Sequence, residues 1–241
     1  MSSWFEAGHV AVVTGGSKGL GKEIARELLR RGVLVIIDGR DPTALEAARE
    51  ELSRHGKVAA IPGDVSDKTH VHALIEAARR LGRVDLLVNN ASTLGQTPLP
   101  RVDQLSARTF HQIFDVNVFA PIHLMQHGLE LMRANGDAAT IVNITSDAGV
   151  EAYPTWGGYG ASKAALEHFS RVLAEELDGS PVRVLVADPG DMDTQMHRDA
   201  IPDADPSELR NPADSARALL QAIEGMKKPY ERVRLSEVVP A

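Results

Sequence analysis

Tyr159 and Lys163 stand four residues apart in Tyr159-Gly160-Ala161-Ser162-Lys163, downstream of Ser146. Ala164, Ala165, Leu166, Phe169, Leu173 and Leu177 recur at helical spacing, so a helix starting near Gly157-Gly158 puts Tyr159 and Lys163 on one face. A phenol titrates near pH ~10 in water and exchanges protons poorly at neutrality. An ammonium beside it favours the phenolate and lowers that value, which suits a general acid or base. The spacing alone also describes an ordinary helix with one aromatic and one solvated lysine. The weight therefore falls on what accompanies it.

A short apolar run, Val10–Val13, reads as a buried strand and leads into Thr14-Gly15-Gly16-Ser17-Lys18-Gly19-Leu20-Gly21. A helix follows over residues 22–31, ended by Gly32. A glycine loop between strand and helix lets backbone N–H groups approach a pyrophosphate at a helix N-terminus. The second strand, residues 33–37, ends in Asp38-Gly39-Arg40. A carboxylate there suits the ribose hydroxyls of NAD and an arginine suits the phosphate of NADP, so the tripeptide is ambiguous by itself.

Further strands are expected at residues 58–61, 84–88, 140–144, 182–187 and 232–239. Helices are expected at 44–52, from Ser66 or Asp67 to Leu81, at 110–133 with a bend or break at Pro121, and at 213–226. Residues 191–212 are polar and proline-bearing, without periodicity, and read as a mobile lid. The alternation predicts an α/β fold: one domain over residues 1–241, a three-layer, doubly wound, Rossmann-like parallel sheet of about seven strands with helices on both faces. Ligands bind such sheets outside the carboxyl ends of the strands, and Gly15, Asp64, Asn89, Ser146 and Gly190 all follow strand ends.

Composition narrows the function. The chain has 241 residues, 43% apolar and 24% charged, with no cysteine and a net charge of −7. Disulfides and thiolate metal sites are excluded, and a reducing, cytoplasmic setting fits. The acidic balance argues against nucleic-acid partners. No apolar run approaches membrane-spanning length. His123 and His127 are four apart but lack further ligands, so no metal is expected.

Taken in order, these residues resemble the short-chain dehydrogenase/reductase family over nearly the whole chain. Thr14-Gly15-xxx-Gly19-x-Gly21 resembles its cofactor loop, Asn89-Asn90-Ala91 the segment after its fourth strand, and Asn117, Ser146, Tyr159 and Lys163 its catalytic tetrad. Pro189-Gly190 followed by Thr194 resembles the segment that holds the nicotinamide. The resemblance implies a hydride exchange between a nicotinamide cofactor and a carbonyl or alcohol carbon. It makes Tyr159 the proton carrier, Ser146 the group that positions the substrate oxygen, Lys163 the partner of Tyr159 and of the ribose, and Asn117 the holder of a relay water. It further implies cofactor contacts from Gly15, Ser17, Lys18, Gly19, Leu20, Gly21, Arg40, Asp64, Val65, Asn89, Ala91, Tyr159, Lys163, Pro189, Gly190 and Thr194.

In that pattern Gly39 falls where NAD-preferring members carry Asp, and Arg40 where NADP-preferring members carry Arg. With Lys18 also basic, NADP(H) is the expected cofactor and NAD(H) the alternative. Asp38, next to Gly39 on a strand, is expected to point to the other face. Thr93, Leu94, Ser146, Tyr153, Trp156, Met192 and Met196 are the expected substrate pocket, fairly apolar, with few basic residues to favour an anionic substrate.

Two departures stand out. Ser92 replaces the Gly usual after Asn89-Asn90-Ala91, and the C-terminal end lacks the aspartate-glycine-glycine ending of tetrameric members. A homodimer through the long helices around Asn117 and Tyr159 is then as good an expectation as a homotetramer. The competing function is a non-catalytic nucleotide-binding regulator on the same fold.

Overall fold

The computed structural model describes residues 4–238. Seven parallel strands form one sheet in the order β3-β2-β1-β4-β5-β6-β7: β1 (Val10–Val13), β2 (Leu34–Gly39), β3 (Val58–Pro62), β4 (Leu86–Asn89), β5 (Ala139–Ile144), β6 (Val182–Asp188) and β7 (Tyr230–Arg234). Side chains alternate across each strand, and the core divides accordingly. Ala11, Val13, Val35, Ile37, Val88 and Leu185 pack on one face against α1 (Gly19–Arg30), α2 (Pro42–Leu52) and α8 (Pro212–Gly225). Val10, Val12, Ile36, Leu87, Ile141 and Val184 pack on the other against α3 (Lys68–Arg80), α5 (Ala120–Ala134) and α6 (Gly157–Glu176). The fold is the doubly wound, three-layer arrangement expected of alternating apolar runs and amphipathic segments.

Strand order reverses between β1 and β4, and the crevice at that switch opens at the carboxyl edge. The glycine loop sits there and is fixed from below. Asp38, 1% exposed at the end of β2, accepts the Gly15 N–H through Oδ1 at 2.6 Å and bonds His70 Nε2 through Oδ2 at 3.0 Å. The Asp38 carbonyl also takes the Gly16 N–H at 2.9 Å. As strand alternation predicts, the carboxylate lies on the Ile36 and α3 face, opposite the side on which Gly39 meets Ser17 and Leu45, and a buried carboxylate needs the donors it finds there in His70 and the loop amide.

Several boundaries differ from expectation for local reasons. Helix α1 begins at Gly19, inside the glycine loop, rather than at Lys22. The expected helix 110–133 is three pieces: α4 (Ala107–Phe114), a π-helical turn over Asp115–Phe119, and α5. The last strand runs Tyr230–Arg234 and gives way to a 3₁₀ turn at Leu235–Glu237, so the expected strand 232–239 starts earlier and stops sooner; its last residue, Val239, lies outside the described residues. Segment 191–212 is not irregular throughout. It carries α7 (Gln195–Ala200), and its two ends are tied by Asp193 N–H to the Arg210 carbonyl at 2.9 Å and Arg210 N–H to the Asp191 carbonyl at 3.0 Å.

Replacing Asp38 by Ala strands the Gly15 amide and the His70 ring in a buried setting. Chemical denaturation should register a loss of about 2–3 kcal/mol. An unchanged midpoint would show that the loop holds itself.

Candidate active site

The carboxyl ends of β1, β2, β4, β5 and β6 converge on a cavity of about 600 Å3. Its dimensions suit a bound small molecule. One half is built from the glycine loop. Gly15 and Gly19 have φ of +68° and +54°, a backbone region that side chains rarely adopt, and a Cβ on Gly15 would stand 3.0 Å from Asn90 Nδ2. No side chain caps α1, so its first-turn amides are available where Gly19 and Leu20 line the cavity. This is a cradle for a pyrophosphate at a helix N-terminus.

Ser17, Lys18, Arg40, Asp64 and Val65 continue the same wall. At Gly39 a Cβ would meet Ser17 at 3.2 Å, which leaves little room for the aspartate of an NAD-type site. Burial pushes Asp64 up, but hydrogen bonds from the Ser66 amide and hydroxyl, with the Arg40 and His70 charges, hold it below the usual carboxylate range. The donor set therefore fits a dinucleotide carrying extra negative charge near Arg40.

The other half holds Ser146, Tyr159 and Lys163, three of the four residues expected as the tetrad. Tyr159 and Lys163 lie on α6, 8% and 2% exposed, and both line the cavity with Ser146. The Lys163 ammonium donates to the Ile144 carbonyl at 2.9 Å and sits 5.4 Å from the Tyr159 ring centroid, over the ring rather than at the phenol oxygen. Burial pushes the Tyr159 phenol above its ordinary value; a Ser92 hydrogen bond pulls it back, and the Asp188 and Asp147 charges push it further up. The lysine was expected to lower this value. With the ammonium over the ring, burial sets the direction instead. Burial lowers Lys163 to about 8, and Glu167 opposes that shift. Ser146 donates its hydroxyl to Asp147 Oδ1 at 2.9 Å.

Asn117 lies in the π-helical turn, fully buried. Its Oδ1 accepts the Ser92 hydroxyl at 3.1 Å and the Thr93 N–H at 2.8 Å, and its Nδ2 donates to the Thr93 carbonyl at 2.9 Å and Ser162 Oγ at 3.0 Å. The side chain is fully engaged in fixing the loop after β4. Its backbone carbonyl is different: Pro121, four residues on, has no N–H to close the helical bond onto it.

The remaining expected residues divide. Ala91, Leu94, Trp156, Pro189, Gly190, Met192, Thr194 and Met196 line the cavity. Gly21 does not line it; a Cβ there would press to 2.4 Å from the Gly15 carbonyl, so it serves helix–loop packing. Asn89 points into the sheet and donates to Asn143 Oδ1 at 2.7 Å, while Asn90, not singled out from sequence, faces the cavity. Thr93 is spent on Asn117. Tyr153 is 45% exposed and reaches back to Asp147 Oδ2 at 2.9 Å from outside the wall. His197, which flanks the reacting centre in sequence, is on the wall, while sequence reasoning missed Asp147 and Asp188 there. Only Asp147 had a signal, its place beside Ser146.

The sequence pattern described as short chain dehydrogenase matches residues 9–205. The chain belongs to the short-chain dehydrogenase family. It is 38% identical over 197 residues to the rhamnolipids biosynthesis 3-oxoacyl-[acyl-carrier-protein] reductase of Pseudomonas aeruginosa, covering 80% of this chain and 76% of that protein. It is 31% identical over 199 residues to the benzil reductase ((S)-benzoin forming) of Saccharomyces cerevisiae, covering 80% and 74%. Among solved structures it is similar to the Pseudomonas aeruginosa RhlG/NADP active-site complex, with TM-score 0.84 and 31% identity over 97% of each chain. It also resembles the oxidoreductase yciK from E. coli, with TM-score 0.87 and 27% identity over 98% of each. The short-chain dehydrogenase is thus an oxidoreductase of a family that uses nicotinamide cofactors on small molecules. Among the described residues no helix is long and apolar enough to cross a membrane.

Replacing Asn117 by Ala removes four buried hydrogen bonds at once. The Thr93 amide should exchange with deuterium at least tenfold faster, a change of about 1.4 kcal/mol or more in local opening. Unchanged protection would mean the loop after β4 is held elsewhere.

Proposed function

We propose that this short-chain dehydrogenase transfers a hydride between NADP(H) and the carbonyl or alcohol carbon of a small, fairly apolar substrate, with Tyr159 as general acid and base. The observation that carries the reading is the shared cavity: the glycine loop with Lys18 and Arg40 forms one wall, and Ser146, Tyr159 and Lys163 form the other. Asp38 is consumed under the loop, so the basic residues are left to read the cofactor's ribose end. A neighbour solved with NADP supports the same choice.

When bound, the nicotinamide supplies the hydride donor or acceptor. The chain supplies everything else. Gly15, Gly19, Leu20, Pro189, Gly190 and Thr194, with Asp64 and Val65, line the cavity and would hold the cofactor. The Ser146 hydroxyl turns from Asp147 to the substrate oxygen. Tyr159 gives that oxygen a proton in reduction and takes it in oxidation. A phenol raised by burial transfers a proton at neutral pH only with cationic help, and Lys163, at about 8, still carries its charge there. A water on the Asn117 carbonyl would link the lysine to solvent.

Leu94, Trp156, Met192 and Met196 support an apolar substrate, and Asp147, Asp191 and Asp193 on the same wall disfavour an anionic one. Two reductases among the relatives fit the reductive direction. Phe119, Phe169 and Val172 are exposed around the tetrad helices and support a homodimer through that face.

Tyr159→Phe should lower NADPH-linked carbonyl reduction by about a thousandfold or more while leaving NADPH affinity within about twofold. Turnover near that of the unmodified protein would overturn the assignment. Arg40→Ala should cut the NADPH-over-NADH ratio of kcat/KM by about tenfold or more, the value of one charged contact to phosphate. An unchanged ratio would place the discrimination elsewhere.

A further inference from the structure

A buried ion pair stands outside the machinery described so far. Glu167 lies one helical turn beyond Lys163 on α6 and is 5% exposed. Its Oε1 accepts from Thr145 Oγ1 at 2.6 Å and its Oε2 from Arg232 Nε at 2.9 Å, with Arg232 Nη2 reaching Oε1 at 3.2 Å. Thr145 directly follows Ile144, whose carbonyl holds the Lys163 ammonium. Lys163 and Glu167 therefore grip consecutive residues at the end of β5, and Arg232 meets Glu167 from β7.

The order of charge is plus, minus, plus: Lys163, Glu167, Arg232. An ammonium at 2% exposure with one carbonyl for a partner is under pressure to lose its proton. Residues four apart share a helix face, so the Glu167 charge acts on Lys163 at short range. The other ionisable groups around Lys163 are few. Tyr159 shares its helix, Asp147 follows β5, Asp188 ends β6 at 2% exposure, and Arg232 comes from β7. Arg108, His111 and Asp115, on α4 and the π-helical turn packed against α6, are exposed. Burial lowers Lys163 while Glu167 pulls it up, and no other charge acts on it to a comparable degree.

We propose that Glu167 is a positioning residue that keeps Lys163 an ammonium ion, and that Arg232 sets how much of the Glu167 charge Lys163 feels. The role rests on the reading of Lys163 as a working cation beside Tyr159. It gives the seventh strand a part in the chemistry, since β7 delivers the guanidinium that tempers the carboxylate. A pair that served only to clip β7 to α6 would be equally damaged by loss of either member.

The test is a pH titration of the Lys163 side chain by NMR, assigned by its loss in Lys163→Met, in the unmodified protein, in Glu167→Gln and in Arg232→Met. Lys163 should titrate near about 8 in the unmodified protein. Glu167→Gln should move it down by about one pH unit or more, and Arg232→Met, which leaves the carboxylate uncompensated, should move it up. Shifts of opposite sign carry the proposal. Shifts of the same sign, or none, overturn it. If Glu167→Gln does not fold, partly exposed Arg232 still decides, because no upward shift in Arg232→Met defeats the claim. The titration needs no substrate, so it is separable from turnover. Opposite shifts in a protein that reduces no carbonyl would strike the proposed reaction and leave this coupling standing.

Discussion

The Asp38 carboxylate is the constraint on which the site depends. At 1% exposure it is tolerable only with donors on both oxygens, and it finds them in the Gly15 amide and the His70 ring. That pairing pins the glycine loop to the end of β2 and the start of α3 at once. Although Asp38 borders the cavity, both its carboxylate oxygens are engaged by the protein itself. Arg40 and Lys18 are then the residues left to set the charge of that wall. A single buried hydrogen-bonded acid thus links the stability of the fold to the chemistry the site can accept.

The reacting half has its own logic of burial. Tyr159 and Lys163 are placed by one helix, yet burial moves them in opposite senses, raising the phenol and lowering the ammonium. From similar ordinary values the two move apart, the pattern by which environment separates the roles of two titratable groups in one site. Around them the protein spends polar groups on geometry: Asn117 on the loop after β4, Ser162 on Asn117, Thr145 on Glu167. The π-helical turn before Pro121 is part of the same arrangement, since it carries the buried Asn117.

Much of this was legible in the sequence because parallel strands buried on both faces read as continuous apolar runs. Val10–Val13 and residues 84–88 are of that kind, and the glycines and polar residues that follow them mark the carboxyl edge. That Ser146, Tyr159 and Lys163 share one cavity was legible through order and spacing. What escaped were partnerships between residues far apart in the chain. Nothing local announces that Asp38 will meet Gly15, or that Glu167 will meet Arg232 from another strand. Alternation along β2 put Asp38 on the α3 face, but strand geometry alone does not name the donors it meets there. Asn89 and Tyr153 lie off the cavity for a related reason: position after a strand end or close to Ser146 and Tyr159 in sequence says little about which way one side chain turns. The helix α7 was missed because six residues give too short a window for periodicity.

The most direct measurement is an equilibrium fluorescence titration of the unmodified protein with NADPH and NADH under identical buffer and salt. The account predicts saturable binding of both halves of the comparison through one site, with NADPH tighter by about tenfold or more, the worth of a charged phosphate contact. Tighter binding of NADH, or no binding of either, would contradict it: the first would return the strand end to a ribose-reading acid, and the second would remove the nucleotide from the cavity altogether.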